Sequence, residues 1–142
     1  MALIVLATHL RSHQIQVDLV DFEFSERVKR QSSRWEDFSK ESINRLRESD
    51  ARIFGISSLC SNFPISLLLA HSIRQEWPES KIILGGPQPP LLAEETLQKC
   101  PWIDMIVIGE GEDALLEIMQ SDWKPDSLQK ICGIAFRDGD KI

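Results

Sequence analysis

His9 and His13 stand four residues apart, a spacing that puts two imidazoles on one face of a helix, where they could share a metal ion. No acidic residue or cysteine lies close by in sequence to complete such a site, so an exposed helical pair is the simpler expectation. His71 falls inside a helical pattern beside Ser72 and Arg74, at its surface. Cys60 precedes a helix, where a thiol can become nucleophilic, although a small packed thiol is the simpler expectation. Glu110 and Glu112 could do acid–base work. Their place at a helix start is also explained by capping and by the helix dipole, which favours carboxylates there.

Stronger signals come from three loops. The first, Gly55-Ile56-Ser57-Ser58-Leu59-Cys60-Ser61-Asn62, offers small hydroxyl and amide groups that can meet a ligand's polar edge without blocking it. The second interrupts the stretch IILGGPQPPLLAEE, residues 82–95, with Gly85, Gly86, Pro87, Gln88, Pro89 and Pro90. Its glycines let backbone come close to a bulky group, and its prolines fix the loop's shape beforehand. The third is Gly109-Glu110-Gly111-Glu112. Each alone can be a plain turn or a helix cap. Three of them following successive apolar strands point to a binding edge.

The ligand is not a nucleoside phosphate of the usual kinds. No G-x-x-x-x-G-K-[ST] occurs, and Gly109-Glu110-Gly111 runs into Glu112-Asp113-Ala114 instead of completing G-x-G-x-x-G. Two carboxylates there would repel a pyrophosphate. The loops suit a large, mostly neutral guest.

Composition agrees. The chain has 142 residues, enough for one domain with a real core, and 16 basic against 22 acidic residues give a net charge of −6. That balance argues against a nucleic-acid or anionic-membrane surface. The basic cluster Arg27–Arg30 with Arg34 is flanked by acidic residues and reads as a solvated face. Cys60, Cys100 and Cys132 are odd in number and widely spaced, which disfavours a disulfide framework or zinc ribbon and fits a reducing, cytoplasmic setting. The opening MALIVLATHL lacks the basic leader of a signal peptide, and no apolar run approaches the ~20 residues of a membrane span.

The elements that must position the loops alternate along the chain. Residues 2–12 read as a helix with Leu3, Leu6 and Leu10 on one face. QIQVDLVDFEF, residues 14–24, alternates Ile15, Val17 and Leu19 with polar residues and reads as a strand. Residues 22–36 are polar and irregular. Glu36–Ser49 reads as a helix with Phe38, Ile43 and Leu46 inward. ARIFGIS is a strand. A helix from Pro64 to Trp77 follows, with Ile65, Leu69, Ile73 and Trp77 inward and Pro78 as its stop. KIILGG, a short helix PLLAEETLQKC, a strand IDMIVIGE and a helix GEDALLEIMQS come next. GIAFRDGDKI reads as a strand with a tight turn at Asp138-Gly139, the start of a hairpin. IFGI, KIIL and MIVI are apolar without alternation, which indicates strands buried on both faces of a parallel sheet with helices above and below. The expected fold is α/β, a Rossmann-like (flavodoxin-like) three-layer domain with a mainly parallel sheet. Such folds begin with a strand, so either Met1–Val5 is strand or the first strand is absent; the second is favoured. The missing neighbour would leave strand edges unpaired.

The ordered set GISSLCSNFPISLLLAHSIRQEWP, KIILGGPQPPLLAEETL, PWIDMIVIGEGEDALLEI and ICGIAFRDGDKI resembles the N-terminal cobalamin (B12)-binding domain of B12-dependent radical SAM enzymes. LATHLRSHQIQVDLVDFEF resembles the segment after that domain's first strand and loop. The resemblance covers almost the whole chain, 1–142, as a single domain that would be the N-terminal fragment of a longer radical SAM protein. It implies cobalamin held at the C-terminal strand edge. The matching contacts are Ser57, Ser58 and Leu59, then Gly85, Gly86, Pro87 and Gln88, then Gly109, Glu110 and Gly111. It also implies a radical SAM domain, in cis or in trans, carrying the [4Fe-4S] cluster and S-adenosylmethionine. The C-x-x-x-C-x-x-C cluster motif is absent here, so this chain would not be catalytic by itself. D-x-H-x-x-G is absent too, which leaves the lower face of cobalt without a protein ligand. The expected function is a cobalamin-binding module of a radical SAM enzyme, methyltransferase-type or related. The alternative is a degenerate domain that no longer binds cobalamin and serves as a docking or recognition module. A response-regulator-like domain fits poorly, because Asp21 ends a strand but Lys141 is badly placed as its partner.

Overall fold

The computed structural model describes residues 2–22, 35–139 and 141–142. The basic cluster at 27–34 and most of the polar stretch at 22–36 lie outside the described residues. The described residues open on helix α1 (Ala2–Ser12), so residues 2–5 are helix and not strand. Helix α2 (Trp35–Leu46) leads into strand β1 (Ile53–Ser57), helix α3 (Phe63–Glu76) and strand β2 (Lys81–Gly85). A 3-10 turn (Pro89–Leu92) and helix α4 (Ala93–Lys99) connect to strand β3 (Met105–Val107). Helices α5 (Glu112–Gln120) and α6 (Pro125–Leu128) then precede strand β4 (Ile134–Phe136).

The sheet has the order β1-β2-β3-β4, with β1, β2 and β3 parallel and β4 antiparallel to β3. Side chains alternate across it and feed two cores. Phe54, Ile82, Leu84 and Ile106 pack on one face against Ile43 of α2, Leu69, Ala70 and Ile73 of α3, and Leu97 of α4. Ile83, Met105 and Val107 pack on the other against Ala114 and Ile118 of α5, Leu128 of α6, and Ile131. Each fully buried aliphatic side chain contributes about 1.5–3 kcal/mol, which makes β2 and β3 the anchor of the fold. Helix α1 lies against α5. The result is the expected three-layer α/β arrangement.

At the end of the sheet where strands begin, Arg74 fixes the register of β2 and β3. Its guanidinium donates to the carbonyls of Pro78, Ser80 and Trp102 and to the Asp104 carboxylate at 2.6 Å. The same carboxylate oxygen accepts the Ile82 N–H at 2.7 Å. Arg137 extends across to the carbonyls of Leu97 and Ile103, tying the region of β4 to α4. The tight turn after β4 forms as expected: Asp138 and Lys141 exchange backbone hydrogen bonds of 2.9 and 3.1 Å.

Two expectations are corrected. Residues 14–22 form no strand; the remainder of that call, 23–24, lies outside the described residues. Among the described residues the segment has no ladder, and side chains satisfy its backbone and carboxylates instead. Arg11 donates to the Val17 carbonyl and Arg45 to the Asp21 carbonyl, while Ser49 donates to Asp18. An alternating pattern makes a strand only where a neighbouring edge accepts it. The second correction concerns β1. Phe54 is buried, but Gly55 is exposed, so IFGI is not covered on both faces as Ile82–Leu84 and Met105–Val107 are. Ser58 N–H donates to Gly85 and Lys81 N–H donates to Arg52, so even-numbered residues of β1 face β2. The peptide groups of Ile53, Gly55 and Ser57 therefore point to the other side, where no strand of the described residues pairs with them.

Candidate ligand-binding rim

Because β1, β2 and β3 run parallel side by side, their carboxyl ends deliver three loops to one edge of the sheet. The first two loops are locked together. Ser58 is fully buried, and its N–H donates to the Gly85 carbonyl at 2.8 Å. Gly86 has φ +97°, and a Cβ there would collide with the Ser58 carbonyl oxygen and come within 2.9 Å of its nitrogen. The glycine at 86 is thus demanded by the neighbouring loop. Cys60 Sγ lies 2.6 Å from Gln88 Oε1, a second link between the same loops.

Asn62 does not cap α3, although it precedes the helix. Its Oδ1 turns back and accepts the Leu59 N–H at 2.7 Å and the Ser58 hydroxyl at 3.3 Å. This brace holds Leu59 outward, 53% exposed. Ser57, at the end of β1, is half-buried, as are Gly85, Gly86 and Gln88; Pro87 is exposed, and Pro89 is buried under the turn.

The third loop starts at Ile108, which is 41% exposed and whose N–H donates to the Gly133 carbonyl at 2.7 Å. Gly109 has φ +86°, and a Cβ placed on it would meet nothing within 4 Å. Glu110 is exposed. Gly111 faces inward: a Cβ there would lie 3.2 Å from Leu6, so α1 abuts this loop.

The rim therefore carries all ten predicted positions: Ser57, Gly85 and Gln88 are half-buried, and the other seven fall into two kinds. Ser58, Gly86 and Gly111 are occupied in shaping the loops. Leu59, Pro87, Gly109 and Glu110 face outward. Asn62 and Cys60 were not among the predicted contacts, and an amide two residues ahead of Pro64 reads in sequence as an ordinary cap. Two surface hollows lie off the rim's centre. One, about 430 Å³, is a polar groove between α2 and α3 lined by Ser39, Asn44, Arg47, Ser72 and Glu76. The other borders the second loop from Pro90 to Gln98.

The burial of Cys100 raises its thiol pKa. All three cysteines are unpaired, and Cys60 and Cys132 are exposed. No described helix is long and apolar enough to cross a membrane.

A mainly parallel sheet covered by helices on both sides, with three glycine-bearing loops at the carboxyl ends of its parallel strands, defines a Rossmann-like α/β domain. Comparison with known families makes this specific: the model of the B12 binding domain matches residues 1–119. The chain belongs to the B12-binding domain family.

Its relatives are much longer. It is 28% identical over 101 residues to the anaerobic magnesium-protoporphyrin IX monomethyl ester cyclase of Cereibacter sphaeroides, covering 69% of this chain and 16% of that protein. It is 34% identical over 90 residues to the protein of the same name from Synechocystis, covering 63% of this chain and 18% of that one. It is 27% identical over 67 residues to the cobalamin-dependent radical SAM methyltransferase TokK of Streptomyces tokunonensis, covering 47% of this chain and 10% of TokK. The fold is shared with the N-terminal domain of the hypothetical protein TM0182 of Thermotoga maritima, with a TM-score of 0.52, 18% identity, and coverage of 86% of this chain and 84% of that one.

Proposed function

We propose that this chain, as one module, binds cobalamin at the rim formed by Ser57–Leu59, Gly85–Gln88 and Gly109–Gly111 and presents it to a separate iron–sulfur/S-adenosylmethionine domain, in cis or in trans. The observation that supports this most is the convergence of three loops on one edge, with open space over Gly109. The fit to the group is reasonable on this chain's own surfaces. Leu59 and Ile108 offer apolar contact, and around them stand amides and hydroxyls together with the exposed Glu110 carboxylate. None of the three histidines lies on these loops, so none would serve there as a ligand to cobalt. Bound cobalamin supplies a cobalt centre able to carry a methyl group. This chain's share is to hold, orient and shield it, and the three unpaired thiols suit a reducing cytoplasm.

Anaerobic incubation with hydroxocobalamin, gel filtration and a visible spectrum test the reading. Co-elution of corrin absorbance with folded protein is expected. Gly109→Val, which fills the open space, should weaken binding at least about tenfold, the scale of a lost or blocked contact of ~1.4 kcal/mol; circular dichroism checks that the variant is folded. A folded protein that elutes colourless sinks the proposal.

The competing reading is a degenerate domain that docks a partner without cofactor. The unpaired outer side of β1 favours it, because an open strand edge is a pairing surface. Absence of corrinoid from a folded sample would select this alternative.

A further inference from the structure

The sequence places His9 and His13 on one helix without a third ligand. Tertiary structure supplies one. Helix α1 packs against α5, and Asp113, in the first turn of α5, brings Oδ1 to 3.9 Å from His9 Nε2. That nitrogen is buried and has no hydrogen-bond partner among the described residues. A buried imidazole nitrogen left unsatisfied is unfavourable and calls for an explanation such as an ion or a water.

His13 is prepared in a complementary way. Its Nδ1 lies 3.0 Å from the His9 carbonyl oxygen. A carbonyl can only accept, so in the neutral ring Nδ1 carries the proton and Nε2 keeps its lone pair. Fixing the tautomer through a backbone carbonyl is the outer-shell arrangement that metal-ligating histidines use. The two rings stand 4.8 Å apart, centroid to centroid.

We propose that His9, His13 and Asp113 form a binding site for a borderline divalent transition metal of the zinc class, clipping α1 to α5. Two imidazoles and a carboxylate suit such an ion and leave a coordination position for water. No three ligating groups among the described residues already stand at coordinating positions. Between His9 and Asp113 the adjustment needed is small. Bonds of about 2.0–2.1 Å at a tetrahedral angle put ligand atoms roughly 3.3 Å apart, against 3.9 Å here between His9 and Asp113. The Asp113 side chain is 92% exposed and free to turn inward. The clip would also steady the third rim loop, since Leu6 of α1 abuts Gly111. The metal site itself stands independently of cobalamin.

The test is calorimetric titration of metal-free, untagged full chain with ZnCl2, with MgCl2 as the oxygen-preferring control. One saturable zinc site is expected, with no magnesium binding. His13→Gln, at an exposed position, and Asp113→Asn should each weaken zinc at least about tenfold, and His71→Gln should not. Imidazole 15N shifts should move at His9 and His13 and stay fixed at His71. Absence of saturable binding overturns the proposal, as does zinc binding that survives His13→Gln, which would assign it to the thiols. Unchanged affinity in Asp113→Asn overturns the interhelical clip.

Discussion

Three glycines separate what a backbone needs from what a ligand needs. Gly86 combines a left-handed φ with a neighbour, Ser58, already in contact distance of any added carbon. Gly86→Ala should therefore lower unfolding stability by about 1–3 kcal/mol, read as a shift in the urea midpoint. Gly55 lies in β1 with open space beside it and no left-handed φ. Gly55→Ala should raise stability by about 0.5–1 kcal/mol in the same assay. Gly109 shares the left-handed backbone with Gly86 but faces open space, which is why the binding test turns on it. Arg74 is the other residue on which much depends: Arg74→Met leaves Asp104 partly buried beside an Ile82 N–H and three carbonyls short of a donor. A loss of about 1–3 kcal/mol follows, with an unchanged m-value. Among the thiols, burial makes Cys100 a poorer nucleophile by raising its pKa, so iodoacetamide at neutral pH should label exposed Cys60 and Cys132 first and Cys100 only on unfolding, as mass spectrometry would show.

Among the elements, the loop after β1 is organised by Asn62 rather than by the helix that follows it. Asn62→Ala removes the acceptor for the Leu59 N–H while leaving α3 its proline-led first turn. Faster amide exchange at Leu59, with little change in Tm, is the expected result. The turn into α6 is the pH-sensitive element. Hydrogen bonds from the Lys124 side chain, from Ser127 and from the Lys124 N–H hold the Asp122 carboxyl well below the usual carboxylate range. A carboxyl that binds its proton more weakly when folded contributes fully above the ordinary Asp value of about 3.9 and less as pH falls below it. The stability difference between wild type and Asp122→Asn should therefore shrink in acid, as thermal melts at pH 7 and pH 2 would reveal. The segment at 14–22 shows how context decides an element. Its alternation of Ile15, Val17 and Leu19 is a strand pattern, yet its carbonyls at Val17 and Asp21 are met by Arg11 and Arg45.

For the molecule as a whole, the layered α/β fold and the three loops were legible in the residues because Ile82–Leu84 and Met105–Ile108 are unbroken apolar runs and each leads straight into glycine. Only burial on both faces of a parallel sheet accommodates such runs, and parallel neighbours must end at a common edge. What the residues could not declare was which groups at that edge are free. Ser57-Ser58-Leu59 reads as three equal candidates, whereas Ser58 is buried and Leu59 exposed. Likewise Asp113 lies a hundred positions from His9 in the chain, and only the packing of α1 on α5 brings them together. Local pattern thus determined the strands, helices and bends outside the segment at 14–22, since side-chain period and glycine or proline chemistry act over a few residues. Tertiary structure alone decided the partners across loops and helices, because hydrogen bonds and close contacts depend on distances in space that chain order does not encode.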